Sequence, residues 1–319
     1  MLGRSIAAGF AFAAAVGAGP LHAQLPRPLI PLQGTGNRVA PFFDGWYDND
    51  DGSISFSFGY SNLNKETIEI PLGPDNFITP KEYDGRQPTT FLVMGPDLAD
   101  GGGGGGGRGA KPSVSPATAA ARAPGAGAGV EGRERDRERG VFTVTVPKGF
   151  KGDVVWTLRH AGQTFAIPGR SKSTAYQLSW PAAMGSTPPL LRFEEKGQAA
   201  RGPTGIQAPP LQAKVDTPVE LKIWITDDAV HDKEPIKFGR ERPGMNVTWL
   251  KYAGPGPVVF DPVKVGFPEL SGQSATKATF KEPGEYVVRV KADAFGYSDS
   301  SAGNQCCWTN GYQKVTVTR

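Results

Sequence analysis

The sequence predicts an all-β protein of two β-sandwich domains, the first interrupted by a long insertion. The length of 319 residues allows about two domains. The 43 glycines and 29 prolines mark many turns and argue against a helical bundle. Between the turns, hydrophobic residues alternate with polar ones, which is the period of a half-buried strand.

The first 23 residues predict export. Arg4 precedes an apolar run over residues 6–19, and small residues follow, which is the layout of a secretory signal peptide. We expect residues 1–23 to be removed, leaving an extended segment over 24–39. A membrane anchor is the alternative, but it needs about 20 apolar residues, and Pro20 interrupts the run. A soluble periplasmic or extracellular protein is therefore expected. The sequence does not predict its oligomeric state.

A low-complexity tract interrupts the first domain. Residues 101–107 are all glycine, a stretch of Ala, Pro and Gly follows, and residues 133–139 alternate arginine with acidic side chains. Such a Gly/Ala/Arg-rich tract buries too little apolar surface to offset its ordering entropy, so we expect disorder over residues 101–139. The tract carries the surplus of basic residues but no aromatic residue to stack on a base, so no nucleic-acid partner is predicted.

Alternating strands lie on both sides of this tract. Neither side alone has enough strands for independent stability, so we assign residues 40–200 to one β-domain. The turn Pro147-Lys148-Gly149 predicts a hairpin between the two strands that flank it. The predicted strands are residues 42–47, 53–60, 141–146 and 154–158, with shorter candidates at 164–167 and 176–180.

Residues 207–319 carry a recognisable pattern. An alternating strand over 219–225 precedes the Trp strand 247–249, the Gly-Pro-Gly-Pro turn 254–257 and the segment 280–286, which reads Phe-Lys-Glu-Pro-Gly-Glu-Tyr. The pattern resembles an immunoglobulin-like sandwich of the polycystic kidney disease (PKD) type, in which these features recur in this order. The resemblance implies a noncatalytic adhesion, spacing or carbohydrate-associated role. The N-terminal part resembles exported bacterial proteins of unassigned function.

The strand that follows the Pro-Gly turn predicts which side chains face the core. Tyr286, Val288 and Val290 recur at every second position, so we expect them to face the sandwich interior. Arg289 and Lys291 occupy the other face, which is predicted to face water.

The segment before the last predicted strand, 313–318, is long for an immunoglobulin-like sandwich. It carries Tyr297, Trp308 and Tyr312 among Ser, Gly and Asn, a composition that suits recognition of a glycan or a protein partner. The alternative is that Trp308 folds back against the sandwich core.

Cys306 and Cys307 are the only two cysteines and are adjacent in the chain. In an oxidising compartment they predict a vicinal disulfide, although such a bridge must strain the backbone. Free thiols or an intermolecular bridge are the alternatives.

Four candidate metal ligands follow the strand over 219–225. Asp227, Asp228, His231 and Asp232 form an acidic cluster that could hold a hard cation such as calcium through carboxylate oxygens. The alternative is a solvated loop without an ion. No other cofactor is expected.

Motifs of catalysis are missing from the sequence. It contains no Gly-x-Ser-x-Gly elbow, no His-Glu-x-x-His and no phosphate-binding loop. The sequence therefore favours a noncatalytic exported binding or scaffolding protein that recognises a glycan or protein partner through loops. The alternative is a secreted hydrolase or metal-dependent enzyme that uses the Asp227–Asp232 loop.

Overall fold

The regular secondary structure of the described residues is almost entirely β-strand. Apart from a short 3-10 helix at Lys81–Tyr83, all regular elements in that part of the chain are strands, which confirms the predicted fold class. No helix in the described part of the chain is long and apolar enough to cross a membrane. The computed structural model describes residues 38–93, 137–171, 176–178, 187–229, 245–267, 269–294 and 308–319.

The N-terminal sandwich is built from two three-stranded sheets and a two-stranded ribbon. One sheet has the order β1-β2-β6, the other the order β4-β7-β8, and the ribbon pairs β3 with β5. The strands are β1 (Val39–Asp48), β2 (Ile54–Asn62), β3 (Ile68–Glu69), β4 (Asn76–Thr79), β5 (Thr90–Phe91), β6 (Arg137–Val146), β7 (Val154–His160) and β8 (Gln163–Gly169).

Aromatic rings fill the space between these two sheets. The rings of Phe58 and Phe142 stack with centroids 5.3 Å apart, and Trp156 from the opposite sheet meets Phe142 edge to face at 5.0 Å. The polar face of β2 is also covered. Ser55 Oγ lies 3.0 Å from Thr145 Oγ1, and Ser55 is buried while Thr145 is half-buried. Alternation therefore identified the face that carries the rings, while the serine face is buried as well.

The two sides of the predicted insertion share one sheet. Strand β5 ends at Phe91 and β6 begins at Arg137, and β6 pairs with β2. The prediction of an interrupted N-terminal sandwich is thus confirmed. The start of β6 differs from the prediction, because residues 137–139, expected to end the disordered tract, are strand residues; residues 94–136 lie outside the described part of the chain.

The predicted hairpin between β6 and β7 is wrong. Strand β6 pairs with β2, whereas β7 pairs with β4 and β8. The turn at 147–149 therefore carries the chain from one sheet to the other. Alternation locates a strand but does not select its hydrogen-bonding partner. In the last candidate strand of this part, Gln177 forms a single parallel bridge with Trp46.

The C-terminal sandwich has two sheets, β14-β16-β12-β9 and β15-β13-β17-β18, with β10 and β11 running parallel to β18. This division of strands is that of an immunoglobulin-like domain. The strands are β9 (Leu190–Arg192), β10 (Ile206–Gln207), β11 (Leu211–Lys214), β12 (Val219–Thr226), β13 (Met245–Ala253), β14 (Val258–Asp261), β15 (Lys264–Phe267), β16 (Ser271–Phe280), β17 (Gly284–Asp293) and β18 (Trp308–Thr318).

The turn and tyrosine motif that marked this sandwich closes one end of its core. The Tyr286 hydroxyl donates to the Glu282 carbonyl at 2.9 Å and accepts from the Gly256 N–H at 3.1 Å. Gly254 has φ +140°, and a Cβ there would lie 2.2 Å from Tyr286 Cδ1. Glycine is therefore required where the turn crosses the ring.

The two faces of β17 are both buried. Tyr286, Val288 and Val290 face the sandwich core as predicted. Arg289 and Lys291 are only 2% and 4% exposed, so the prediction that they face water is wrong. The N-terminal sandwich covers this outer face, and residues from 34 onward form one compact unit. The boundaries of two separate domains, at 40–200 and 207–319, stay a prediction.

Candidate functional site

The outer face of β17 and β18 forms a joint with strand β6. Residues directly opposite each other in an antiparallel pair point to the same face of the sheet. The pairs on this face are Asp293 with Trp308, Lys291 with Asn310, Arg289 with Tyr312, and Val287 with Lys314.

A buried ion pair lies at the centre of the joint. Arg289 Nη1 donates to Glu138 Oε1 at 2.7 Å, and the two side chains are 2% and 3% exposed. Lys291 Nζ lies 3.8 Å from the same carboxylate oxygen, and Arg289 Nε donates to Asn310 Oδ1 at 3.0 Å. Burial lowers the pKa of Arg289, but the charge and hydrogen bond of Glu138 together with Tyr312 and Tyr60 raise it by more, so the pKa lies above its ordinary value. The guanidinium is therefore charged.

Gly140 completes the joint through its backbone. Its carbonyl accepts from Asn310 Nδ2 at 2.8 Å, from Trp308 Nε1 at 3.3 Å and from Arg289 Nη2 at 3.3 Å. Its N–H donates to Asp44 Oδ2 at 2.8 Å. The residue has φ +53°, and a Cβ there would lie 1.9 Å from Trp308 Cζ2. Only glycine lets the strand bend and the indole ring approach this closely.

Glu138 lies in the tract 101–139 for which the sequence predicts disorder, because arginine and acidic residues alternate there. One signal for a strand at Glu138 was present in the sequence. The charged run continues into the alternating segment 141–146 with only Gly140 between them. A single glycine inside a strand pattern is typical of a bulge, and the register of β2 with β6 shifts at this point.

A cleft opens where the joint ends. It has a volume of about 470 Å³ and lies between β6, the chain around β10, and the edge of β18. Its lining includes Thr143, Thr204 and Gln207, with Arg86 and Lys314 as the charged members. None of the described residues that line it is an aspartate, a glutamate, a histidine or a cysteine.

Two tyrosine rings form the apolar wall of the cleft. Tyr252 and Tyr312 meet edge to face with centroids 5.4 Å apart. The Tyr312 hydroxyl donates to the Val141 carbonyl at 2.9 Å, and the Tyr252 hydroxyl donates to the Arg86 carbonyl. Burial raises the pKa of Tyr312 to about 12 and that of Tyr252 well above its ordinary value. Both rings are therefore neutral at physiological pH.

Hydroxyl groups also line the cleft. Thr143 Oγ1 donates to Thr204 Oγ1 at 3.0 Å, and the Thr204 hydroxyl lies 2.7 Å from the Tyr47 hydroxyl. Each threonine hydroxyl has one donor and two acceptor positions, so these bonds leave hydrogen-bonding capacity toward the cleft. These groups can orient a ligand that carries several hydroxyl groups.

The predicted metal ligands are only partly in the described chain. Asp227 is buried, and its Oδ1 accepts from the Ala229 N–H at 3.1 Å. Asp228 forms an ion pair with Arg201, and that hydrogen bond lowers the pKa of Asp228. His231 and Asp232 lie outside the described residues. Within the described ranges no three His, Cys, Asp or Glu side chains gather as metal ligands, and the metal site stays a prediction.

The predicted ligand-binding residues divide in the same way. Trp308 and Tyr312 belong to β18 and are 1% and 6% exposed, so the strand begins earlier than predicted and both rings pack against the N-terminal sandwich. Tyr297, Cys306 and Cys307 lie outside the described residues. Recognition through this loop, and a disulfide in it, stay predictions.

Comparisons with known proteins identify no family. No protein family and no curated protein matches the chain. The chain is similar to domains 4 and 5 of the S-layer protein SbsC (11% identity, TM-score 0.22, 55% of this chain and 69% of that one). It is also similar to the D00-D0 domain of intimin (13% identity, TM-score 0.25, 56% of this chain and 72% of that one). A third similar structure is the Yersinia pseudotuberculosis adhesin InvE (9% identity, TM-score 0.21, 89% of this chain and 59% of that one). At such low identities and TM-scores these likenesses carry no argument about function.

Proposed function

We propose that the chain is an exported, noncatalytic binding or scaffolding protein that presents two β-sandwiches as one rigid surface. The buried pair of Glu138 and Arg289 is the observation that carries the proposal. Such a pair contributes little net stability, because desolvation of both charges offsets their attraction. It does favour one arrangement of the two sandwiches, since an arrangement that separated the pair while keeping both side chains buried would leave two charges without partners.

Export and partner class are part of the same proposal. The apolar run after Arg4 supports removal of a signal peptide, and the resemblance of residues 207–319 to PKD-type sequences supports an extracellular binding role. A glycan or a protein is the proposed partner, taken up where the two sandwiches meet.

A binding-and-turnover assay tests this function. The mature chain from Gln24 onward is exposed to immobilised neutral and acidic glycans, and the glycans are recovered for mass spectrometry. We expect retention of at least one glycan class with unchanged mass. Shortened glycans would identify a hydrolase, and an array on which no glycan is retained would remove the glycan as a partner.

Calcium provides a separate test of the enzyme alternative. No observation in the described chain favours a metal-dependent reaction, so we expect equal melting curves in excess calcium and in chelator. An ion bound only to the folded state raises the melting temperature by linkage. A calcium-dependent rise that disappears in Asp228→Asn would support the predicted metal site instead.

A further inference from the structure

We infer that the cleft beside the joint binds an acidic saccharide, whose carboxylate is held by Arg86 and Lys314. The inference rests on the proposed binding function and specifies the ligand of the cleft. It starts from a juxtaposition that the sequence does not show, because Arg86 belongs to the N-terminal sandwich and Lys314 to the C-terminal one, yet both line the same cleft.

Charge is the first argument for this ligand class. Arg86 and Lys314 are exposed, and neither forms an ion pair with any residue that the structure describes. Other cations near the joint are paired, since Lys251 binds Glu69 at 2.7 Å. Two cations in a concave site whose described lining contains no carboxylate make the potential of the cleft positive. The site therefore favours an anionic ligand, and a carboxylate is such a group.

Hydroxyl and amide groups are the second argument. Thr143, Thr145, Thr204 and the exposed Gln207 line the cleft together with the two cations. Uncharged donors and acceptors of this kind match the hydroxyl groups of a sugar ring, each of which is both a donor and an acceptor. An acidic peptide offers a carboxylate too, but it has few hydroxyl groups to satisfy these donors and acceptors.

The tyrosine wall is the third argument. Tyr312 is one of the residues that line the cleft, and its hydroxyl is bonded to the Val141 carbonyl. An aromatic ring beside hydrogen-bonding groups suits the alternating apolar and polar surfaces of a sugar. The bulge in β13 between Lys251 and Ala253 accompanies the placement of Tyr252 at this wall.

The joint positions both cations. Lys314 follows Tyr312 on the outer face of β18, and Arg86 is held through its carbonyl, which accepts from Tyr252. Because the cations come from different sandwiches, their separation is constant only while the sandwiches stay in one orientation. The binding site therefore depends on the ion pair at the joint without including it.

Titration calorimetry on the mature chain tests this inference with a matched pair of probes. Tetragalacturonate supplies the carboxylates, and its methyl ester keeps the sugar rings but removes the charge. We expect saturable binding of the acid, weaker binding of the ester, and a fall in affinity for the acid as salt is added. Lys314→Met should weaken binding of the acid about tenfold or more, because a hydrogen bond to a charged group is lost.

Lys277→Met is the control variant. Lys277 is exposed on β16, in the sheet that does not border the cleft, so this change removes the same charge without altering the site. We expect it to bind tetragalacturonate like the unchanged chain. Melting curves of both variants should match that of the unchanged chain, because both side chains are exposed.

Several outcomes would overturn the inference. Equal affinity for acid and ester, an unchanged affinity in Lys314→Met, or no binding of either probe would each do so. Tighter binding of a polyglutamate peptide would reassign the cleft to a protein partner. If the glycan array retains only neutral glycans of unchanged mass, the proposed binding function stands and this inference fails. Cleaved glycans would instead remove the proposed function.

Discussion

In the middle of β17 the two faces of the sheet are equally shielded from water but differ in chemistry. Val288 and Val290 on the inner face are 0% and 1% exposed, and Arg289 and Lys291 on the outer face are 2% and 4% exposed. The inner face contacts the apolar core of its own sandwich. The outer face contacts β6 of the other sandwich through charged groups and hydrogen bonds. The degree of burial alone therefore does not show whether a face contributes stability or fixes the orientation of the sandwiches.

Energetics separates the two faces. Apolar burial stabilises by about 25 cal/mol per Å² and tolerates a range of packing arrangements. A buried charge costs free energy unless its partner is in place. The inner face thus supplies stability to the C-terminal sandwich, while the outer face selects the orientation of the N-terminal sandwich.

The largest expected effect follows from removing the ion pair on the outer face of β17. Arg289→Met removes the closer of the two cations that pair with the buried Glu138 and leaves Lys291 Nζ 3.8 Å away, so we expect a loss of about 3 kcal/mol in the free energy of unfolding. Urea unfolding followed by circular dichroism measures the loss. The double change Glu138→Met with Arg289→Met should recover much of it, because the buried carboxylate and its closest cation are removed together. A double variant as unstable as the sum of both single changes would contradict a directly coupled pair.

A smaller effect is expected on the apolar face. Val290→Ala removes two methyl groups from the core of the C-terminal sandwich, and we expect a loss of about 1.5–3 kcal/mol. The loss should be insensitive to salt, because no charge is involved. If the Glu138→Met change reduced the effect of Val290→Ala, the two faces would be coupled and the comparison above would not hold.

The smallest expected effect concerns Tyr312 and alkaline pH. Burial raises the pKa of Tyr312 from 10.0 in the unfolded chain to about 12 in the folded one. The folded state therefore holds a proton that the unfolded state releases, so this contribution is complete below pH 10 and is lost as pH rises to about 12. Tyr312→Phe should make stability fall less steeply over that window.

At neutral pH the same variant should lose about 1 kcal/mol, because the Val141 carbonyl loses its donor. Urea midpoints in a pH series check both expectations. Parallel pH profiles for Tyr312→Phe and the unchanged chain would show that Tyr312 does not account for the alkaline decline.

Much of the fold was predictable because its signals are local. The alternation around Phe56 and Phe58 located β2, and the Pro-Gly turn before Tyr286 located β17. Strand partners were less predictable, as the expected hairpin between β6 and β7 shows. A strand's pattern records which face is apolar, whereas its partner depends on elements elsewhere in the chain.

The cleft was not predictable from any motif. Its two cations, Arg86 and Lys314, are separated by most of the chain and carry no local signature. The predicted site residues Trp308 and Tyr312 were identified for their aromatic character, which is equally typical of a recognition loop and of an interface. The hydrogen bond from Trp308 to the Gly140 carbonyl shows that Trp308 belongs to the interface between the sandwiches.

The sequence by itself located the strands with clear alternation, such as β2, β12 and β17, and the core positions Tyr286, Val288 and Val290, because side-chain alternation and turn chemistry act over a few neighbouring residues. Tertiary structure alone decided the role of Glu138 and Arg289, which are separated by 151 positions. In the sequence each is one charged residue among many, and water is its expected surrounding. The packing of one sandwich on the other removes that water and makes each charge the partner that the other requires.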